Sequence, residues 1–200
     1  LNILRHFVDK GEQAASISQA SLFRFVEAER PTLLLDEFDQ QSNVDDLLSL
    51  LNSGHERHGA AIRMVPKGND YIPKRFSTFC PKIIAMIGKP KDTLVDRSIV
   101  VMMQRKKPQD RVERFNQDMK KSFEVIKRKL TRWRENLSDR LPEVAPLSTN
   151  NDREADNWLP LLTIAEIAGS EWPQRALEAA KALSKDIEDD SVKIQLLLDI

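Results

Sequence analysis

Cysteine is almost absent: Cys80 stands alone among 200 residues, so no intramolecular disulfide framework can form. Histidine is nearly as scarce, with three residues. His55 and His58 flank Glu56 without a third ligand in the pattern, so they read as loop residues and not as zinc ligands. No apolar run approaches the ~18 residues that a bilayer span requires, and no signal-peptide pattern is present. The expectation is a cytoplasmic protein with no membrane partner. Glycine is also rare, at six residues, while 40% of the chain is hydrophobic and three residues are tryptophan. That balance excludes a low-complexity or disordered chain and leaves enough apolar mass for one core, or one core plus a small appendage.

Net charge is absent too, but only as a total: 31 basic and 31 acidic side chains cancel. Residues 1–60 carry net −5, residues 61–140 net +12 and residues 141–200 net −7. A basic block between acidic flanks points to a polyanion partner.

Leu1, Leu4, Phe7 and Val8 follow helical spacing and read as the tail of a helix whose start is missing. A polar linker, Gly11–Ser16, leads to a helix carrying Leu22, Phe23, Phe25 and Val26, which stops near Arg30-Pro31. Thr32–Leu35 does not alternate and predicts a fully buried strand. Asn43 caps a helix through Val44, Leu47, Leu48 and Leu51, closed by Asn52-Ser53-Gly54. Ala60–Val65 and Tyr71–Phe76 predict a β-hairpin with a loop at Pro66–Asp70. Lys82–Ile87 and Ser98–Met103 read as further strands, joined by a polar loop or short helix. Val112, Phe115, Met119, Phe123, Ile126, Leu130, Trp133 and Leu137 then form one apolar stripe, predicting a long helix with basic outer faces. After a linker punctuated by Pro142 and Pro146, helices are expected at Asp156–Ala168, from Ser170 or Glu171 onward, and at Ser191–Ile200. The three tryptophans and Cys80 read as core residues. Strands and helices mixed first, then helices only, predict an α/β core followed by a helical lid. The expected parts are a core at 1–108, a basic amphipathic helix at 109–140 and a lid at 141–200.

The segment Leu33-Leu34-Leu35-Asp36-Glu37 has the order of a Walker B motif. In that motif the first acid, at the strand's end, holds Mg²⁺ against nucleotide phosphates, and the next polarises an attacking water. Two acids after an apolar strand also occur as an ordinary strand-to-loop exit. Downstream, Asp96-Arg97-Ser98 precedes an apolar run, and Arg97 reads equally as an ion-pair partner for Asp96 or Asp92. In the hairpin, Arg63, Lys67, Lys74 and Arg75 suit phosphate contacts. Tyr71 and Phe76 fit base stacking or cross-strand packing.

The order of these segments resembles the AAA+ P-loop ATPases, and more narrowly the ATPase-like domain at the C-terminal end of phage- and plasmid-type DNA primase/helicase proteins. The resemblance rests on Ala20–Arg24, Glu29–Glu37, Leu51–His55, Arg75–Phe79 with Pro81-Lys82, Ile87–Lys89, Asp92–Leu94, Asp96–Ile99, and Asn151–Trp158 with Pro160–Leu162. It implies an incomplete AAA+ core, a parallel sheet with flanking helices and an inserted hairpin, followed by a helical lid. It implies Mg²⁺ and ATP as cofactors, with Asp36 as the metal acid and Glu37 as the catalytic acid. Arg97 would be an arginine finger acting on a neighbouring subunit, and Arg153 a sensor arginine, with an ion pair to Glu154 or Asp156 as its rival reading. At the first sensor position the family carries a polar side chain. This chain has Gly88-Lys89, so Lys89 takes that place as a departure from the pattern. The hairpin would contact single-stranded DNA, and a homo-oligomeric ring is expected by analogy.

No Gly-x-x-x-x-Gly-Lys-[Ser/Thr] occurs in the chain. That loop's backbone amides and lysine cradle the phosphates, so these residues alone lack the ordinary route to bind ATP. The resemblance places such a loop just before Leu1. It therefore implies a Mg²⁺-dependent ATPase in DNA replication of which this piece alone is silent. The alternative is a non-catalytic nucleic-acid-binding or scaffold module on a degenerate ATPase core.

Overall fold

The computed structural model describes residues 1–41, 44–137, 141–149 and 151–184. It is a mixed α/β fold whose sheet is small and parallel. The chain divides into two compact units, one from Leu1–Pro90 with Val112–Leu137, the other from Lys91–Arg111 with the described residues beyond Ser138.

In the first unit, strands β1 (Gly11–Ala14), β2 (Thr32–Leu35) and β5 (Lys82–Ile84) form a parallel sheet in the order β1-β2-β5. Helix α1 (Gln19–Glu29) makes the crossover that parallel pairing requires between β1 and β2. Ser18 starts it, its Oγ accepting the Ser21 N–H at 3.2 Å. Arg30 ends it in the left-handed region at φ 47°, just before Pro31. Central β2 buries Leu33, Leu34 and Leu35 almost completely. Burial of each leucine contributes about 1.5–3 kcal/mol, so this strand anchors the core. Helix α2 (Val44–Ser53) buries Leu47, Leu48, Leu50 and Leu51; the expected cap Asn43 lies outside the described residues.

Several expectations change here. The polar linker is strand β1, paired Gly11↔Thr32 through Ala14↔Leu35. Gly-Glu-Gln-Ala has no strand propensity of its own; β2 supplies the hydrogen bonds that define it. Leu1–Val8 holds only a 3₁₀ turn at Leu4–His6. Strands β3 (Ala60–Lys67) and β4 (Asp70–Ser77) pair up to Lys67↔Asp70. The hairpin loop is therefore Gly68-Asn69, not five residues, because Gly68 adopts φ 63° at the first central position. Residues 98–103 form no strand; Val101, Met102 and Met103 are exposed.

Helix α4 (Gln117–Glu135) opens on Asn116, whose Oδ1 accepts the Met119 N–H at 3.1 Å. It is shorter at both ends than the stripe predicted. Phe123 packs on Phe7, with ring centroids 4.8 Å apart, and stacks on Phe115. Elsewhere along the stripe, Val112 is 61% exposed and Ile126, Leu130 and Trp133 are 43%, 44% and 38% exposed, so the aromatic packing centres on Phe115 and Phe123.

The second unit contains the short α3 (Asp92–Val95), the irregular residues 141–149, α5 (Asp152–Ala168) and α6 (residues 172–184). Asn151 caps α5 by accepting the Arg153 and Glu154 N–H groups, so this helix starts four residues before Asp156. Trp158, Leu162 and Ala180 form its buried cluster, with Ile99, Val144 and Leu147 against them. Trp172 is half exposed, so of the three tryptophans only Trp158 is core. The helix expected at Ser191–Ile200 lies outside the described residues. Among the described residues, no helix is long and apolar enough to cross a membrane.

Candidate functional site

All three parallel strands deliver their C-terminal ends to one edge of the sheet. In open α/β sheets that edge is where ligands bind, because strand ends and loop amides converge there without side chains filling the space. Asp36 sits on it, directly after Leu35. Its Oδ2 accepts the Gln13 Nε2–H at 3.1 Å from β1, and its Oδ1 accepts the Glu37 backbone N–H at 3.2 Å. Both oxygens are thereby oriented, and each keeps a lone pair for an outside group.

Glu37 breaks the strand abruptly, adopting the left-handed conformation at φ 49° and ψ 43°. A non-glycine residue there costs about 1 kcal/mol or more. The reversal sends Phe38 back into the core at 2% exposure and leaves the Glu37 side chain exposed. Among the described residues, no side-chain hydrogen bond holds the Glu37 carboxylate. Backbone strain of this kind clusters at functional sites, and here it falls between an anchored acid and the core.

Asp39 completes the edge. Its Oδ1 accepts the Ile87 N–H at 3.0 Å, and its Oδ2 accepts Gln40 Nε2–H at 2.7 Å. These bonds, the one from Ile87 first, hold its carboxyl below the usual aspartate value. Asp39 therefore ties the segment after β5 to the turn after β2. Lys89, two residues beyond Ile87, is exposed on that segment. Gln13 and Asp39 have no motif around them; only the pairing of β1 and β5 beside β2 reveals their place.

The four basic hairpin residues divide by register. Arg63, Lys67 and Lys74 share one face with Ala61 and Phe76, while Arg75 lies on the other with Ile62 and Met64. Arg63 and Lys74 are directly opposite, a repulsive pairing in a sheet. Aromatic rings absorb it: the Arg63 guanidinium lies 5.2 Å from the Phe23 ring centroid, and the Lys74 ammonium 4.9 Å from that of Phe76. Arg75 donates to the His58 carbonyl. Lys67 is exposed beside the turn. Phe76 is buried against Phe23, with centroids 4.9 Å apart, which settles it as packing, whereas Tyr71 is 67% exposed.

Arg97 and Arg153 belong to the second unit. The Arg97 guanidinium donates to the Thr93 carbonyl at 2.9 Å, reaching back onto the short helix α3 that precedes it. Arg153 pairs with Asp96 at 3.1 Å, rather than with Glu154 or Asp156. Asn157 Nδ2 also donates to the Asp96 carbonyl, at 3.0 Å. Asp96 is thus the joint between α3 and α5, although the sequence had offered it only as a partner for Arg97.

Comparison with known proteins finds two likenesses, each over about half of the chain. Residues 102–200 match the family described as "Protein of unknown function (DUF3631)". A protein of Saccharopolyspora erythraea, "Uncharacterized 28.9 kDa protein in xis 5'region", is 30% identical over 101 residues, 48% of this chain and 38% of that protein. The chain thus spans well under two thirds of that relative. No solved structure matches. Neither likeness covers enough of either chain to carry the wider AAA+ resemblance or a primase/helicase context.

The donor set at the sheet edge suits a hard cation held jointly with a ligand. Among the described residues, no group of three or more His, Cys, Asp or Glu could hold a metal by itself. Mg²⁺ is ordinarily bound by one or two carboxylates, with phosphate oxygens and waters completing the shell. Asp36, with two oriented oxygens, fits that requirement.

Proposed function

We propose that these residues are the Walker B half of a Mg²⁺-dependent ATPase acting on DNA in replication. The observation that carries the reading is Asp36 at the C-terminal edge of the central parallel strand, fixed by Gln13, with the exposed Glu37 next to it. Mg²⁺, when bound with ATP, neutralises phosphate charge. Asp36 would hold the ion through the carboxylate faces that Gln13 and the Glu37 amide leave open. Glu37 would orient a water by accepting its proton, a role that its exposure and lack of side-chain partners suit. Arg97 would have to leave the Thr93 carbonyl to reach a neighbouring subunit's phosphate, and Arg153 would have to leave Asp96. The phosphate loop must come from outside these residues, since none occurs within them.

Single-stranded DNA is the polyanion that best fits the hairpin. Lys67 and Lys74 on one face would contact phosphates, with Arg63 alongside, and Arg75 would do so from the other face. Tyr71, exposed near the turn, would stack on a base. A homo-oligomer follows from the trans role given to Arg97.

The test is ATP turnover by a form extended at its N-terminus to include Gly-Lys-[Ser/Thr], with and without single-stranded DNA. Turnover that needs Mg²⁺ and disappears in Glu37→Gln is the expected result. Full activity in that variant, or none in the extended form, overturns the ATPase reading. Salt-dependent binding of single-stranded DNA that weakens in Lys67→Glu with catalysis absent would favour the non-catalytic nucleic-acid module instead.

A further inference from the structure

The β3–β4 hairpin reverses the ordinary sidedness of a surface sheet, in which charge faces water and apolar side chains face the fold. The face with Arg63, Lys74 and Phe76 is turned to α1, where Arg63 lies over the Phe23 ring and Phe76 packs on it. The opposite face carries Ile62, Met64, Pro66, Tyr71 and Pro73, with Arg75 as its one charge. Ile62, Met64 and Tyr71 are 64%, 59% and 67% exposed, and both prolines are exposed as well. Single apolar residues at a surface need no explanation, but a contiguous set along one face does.

Strand addition does not account for it. The Thr78 N–H donates to the Gly59 carbonyl at 3.1 Å, which sets the phase of the ladder. Odd-numbered residues of β3 bond across the hairpin, and even-numbered ones turn their backbone groups outward. Pro66 therefore removes a donor from the outer edge of β3, and Pro73, opposite Met64, removes one from the outer edge of β4. On that second edge the Ser77 N–H is taken by the Glu27 carboxylate at 2.7 Å. Both edges are guarded against a further strand, which leaves the apolar face as the surface open to a partner.

Charge selects the partner. Arg63, Lys67, Lys74 and Arg75 stand against one acid, Asp70, within the two strands. A second copy would bring two positive hairpins together, which like-charge repulsion opposes. A DNA duplex offers phosphates but keeps its bases stacked inside. A single strand offers phosphates and open base faces together.

We propose that this face holds the bases of single-stranded DNA, packed on Ile62, Met64 and Tyr71, with Arg75 and Lys67 on the phosphates. The assignment rests on the DNA partner proposed above and adds to it the selection of single strand over duplex.

The test is fluorescence anisotropy at low salt with three labelled probes of equal length, about 20 nucleotides: oligothymidylate, the same backbone without bases, and a duplex. Oligothymidylate is expected to bind at least about tenfold more tightly than the abasic strand, and more tightly than the duplex. Ile62→Ser combined with Met64→Ser, both at exposed positions, should weaken oligothymidylate about tenfold, erase its advantage over the abasic strand and leave the salt slope unchanged. Lys67→Glu should weaken both strands alike and reduce that slope. Equal binding of the abasic strand or of the duplex by the parent, or an advantage that survives the double substitution, overturns the base-holding face while the DNA partner stands. Binding of none of the three overturns that partner as well, and an acidic protein in its place would give this result.

Discussion

The two ends of the three-stranded sheet are built on opposite rules. At the C-terminal end, Asp36 is anchored but open, Glu37 is exposed on a strained turn, and Asp39 clasps Ile87. At the N-terminal end, Lys82 is half-buried where β5 begins. Its ammonium donates to the Gly54 carbonyl at 2.7 Å and to that of Cys80 at 2.9 Å. Burial pushes the Lys82 pKa down and the neighbouring Cys80 thiol up. One end spends its charge internally, closing the last turn of α2 onto the sheet. The other keeps its charge available. The contrast separates an end closed by the fold from an end left open more sharply than any motif does.

The largest effect that would break this contrast is catalytic. In the N-terminally extended form, Glu37→Gln should lower ATP turnover by about 10²–10⁴-fold while the urea midpoint stays within error. A drop in stability instead would make Glu37 a structural residue. The next effect belongs to the closed end. A Cβ on Gly54 would lie 2.1 Å from the Thr78 carbonyl oxygen and 3.0 Å from Lys82 Nζ. Gly54→Ala should therefore cost about 3 kcal/mol in urea unfolding, because backbone has to move.

Lys82→Met should cost about 2 kcal/mol, since two carbonyls lose a charged donor while the aliphatic packing is retained. It should also remove a pH dependence. A lysine whose folded pKa is depressed binds fewer protons folded than unfolded. Stability therefore rises with pH from the folded pKa up to the ordinary value near about 10.4. The raised Cys80 thiol titrates with the opposite sign in both proteins, so the rise is read as a stability gap between parent and Lys82→Met that widens with pH across the alkaline range.

A smaller effect of opposite sign tests the open end. Glu37→Gly relieves the left-handed strain and should raise stability by about 0.5–1 kcal/mol, which would mark Glu37 as held there at a cost to the fold. Smallest of all, Arg153→Ala should change stability by no more than about 0.5 kcal/mol. Its pair with Asp96 is 55% and 43% exposed on the two side chains, so solvent screens it.

Much of the open end was legible beforehand. Leu33–Leu35 is uniformly apolar because both faces of β2 are covered, and its exit into Asp36 follows from where the apolar run stops. The left-handed turn at Glu37 was invisible, since nothing in that residue type favours it. β1 escaped notice for a related reason: an edge strand of Gly-Glu-Gln-Ala exists only because β2 offers it a ladder. Residues 98–103 erred the other way, having strand composition without a strand beside them among the described residues. On α4, periodicity marked one apolar stripe, but only the half carrying Phe123 meets aromatic partners.

By itself, then, the sequence determined the local devices: the central strand, the hairpin, the short helices and the uneven charge. These depend on residues near one another in the chain, whose backbone bonds and periodicities are set locally. Only the tertiary structure decided which polar groups serve the fold and which stay free. Gln13 reaching Asp36, Lys82 reaching Gly54 and Arg153 reaching Asp96 join residues far apart in sequence. Burial and partner count, not residue type, separate the spent charge of Lys82 from the available charge of Glu37.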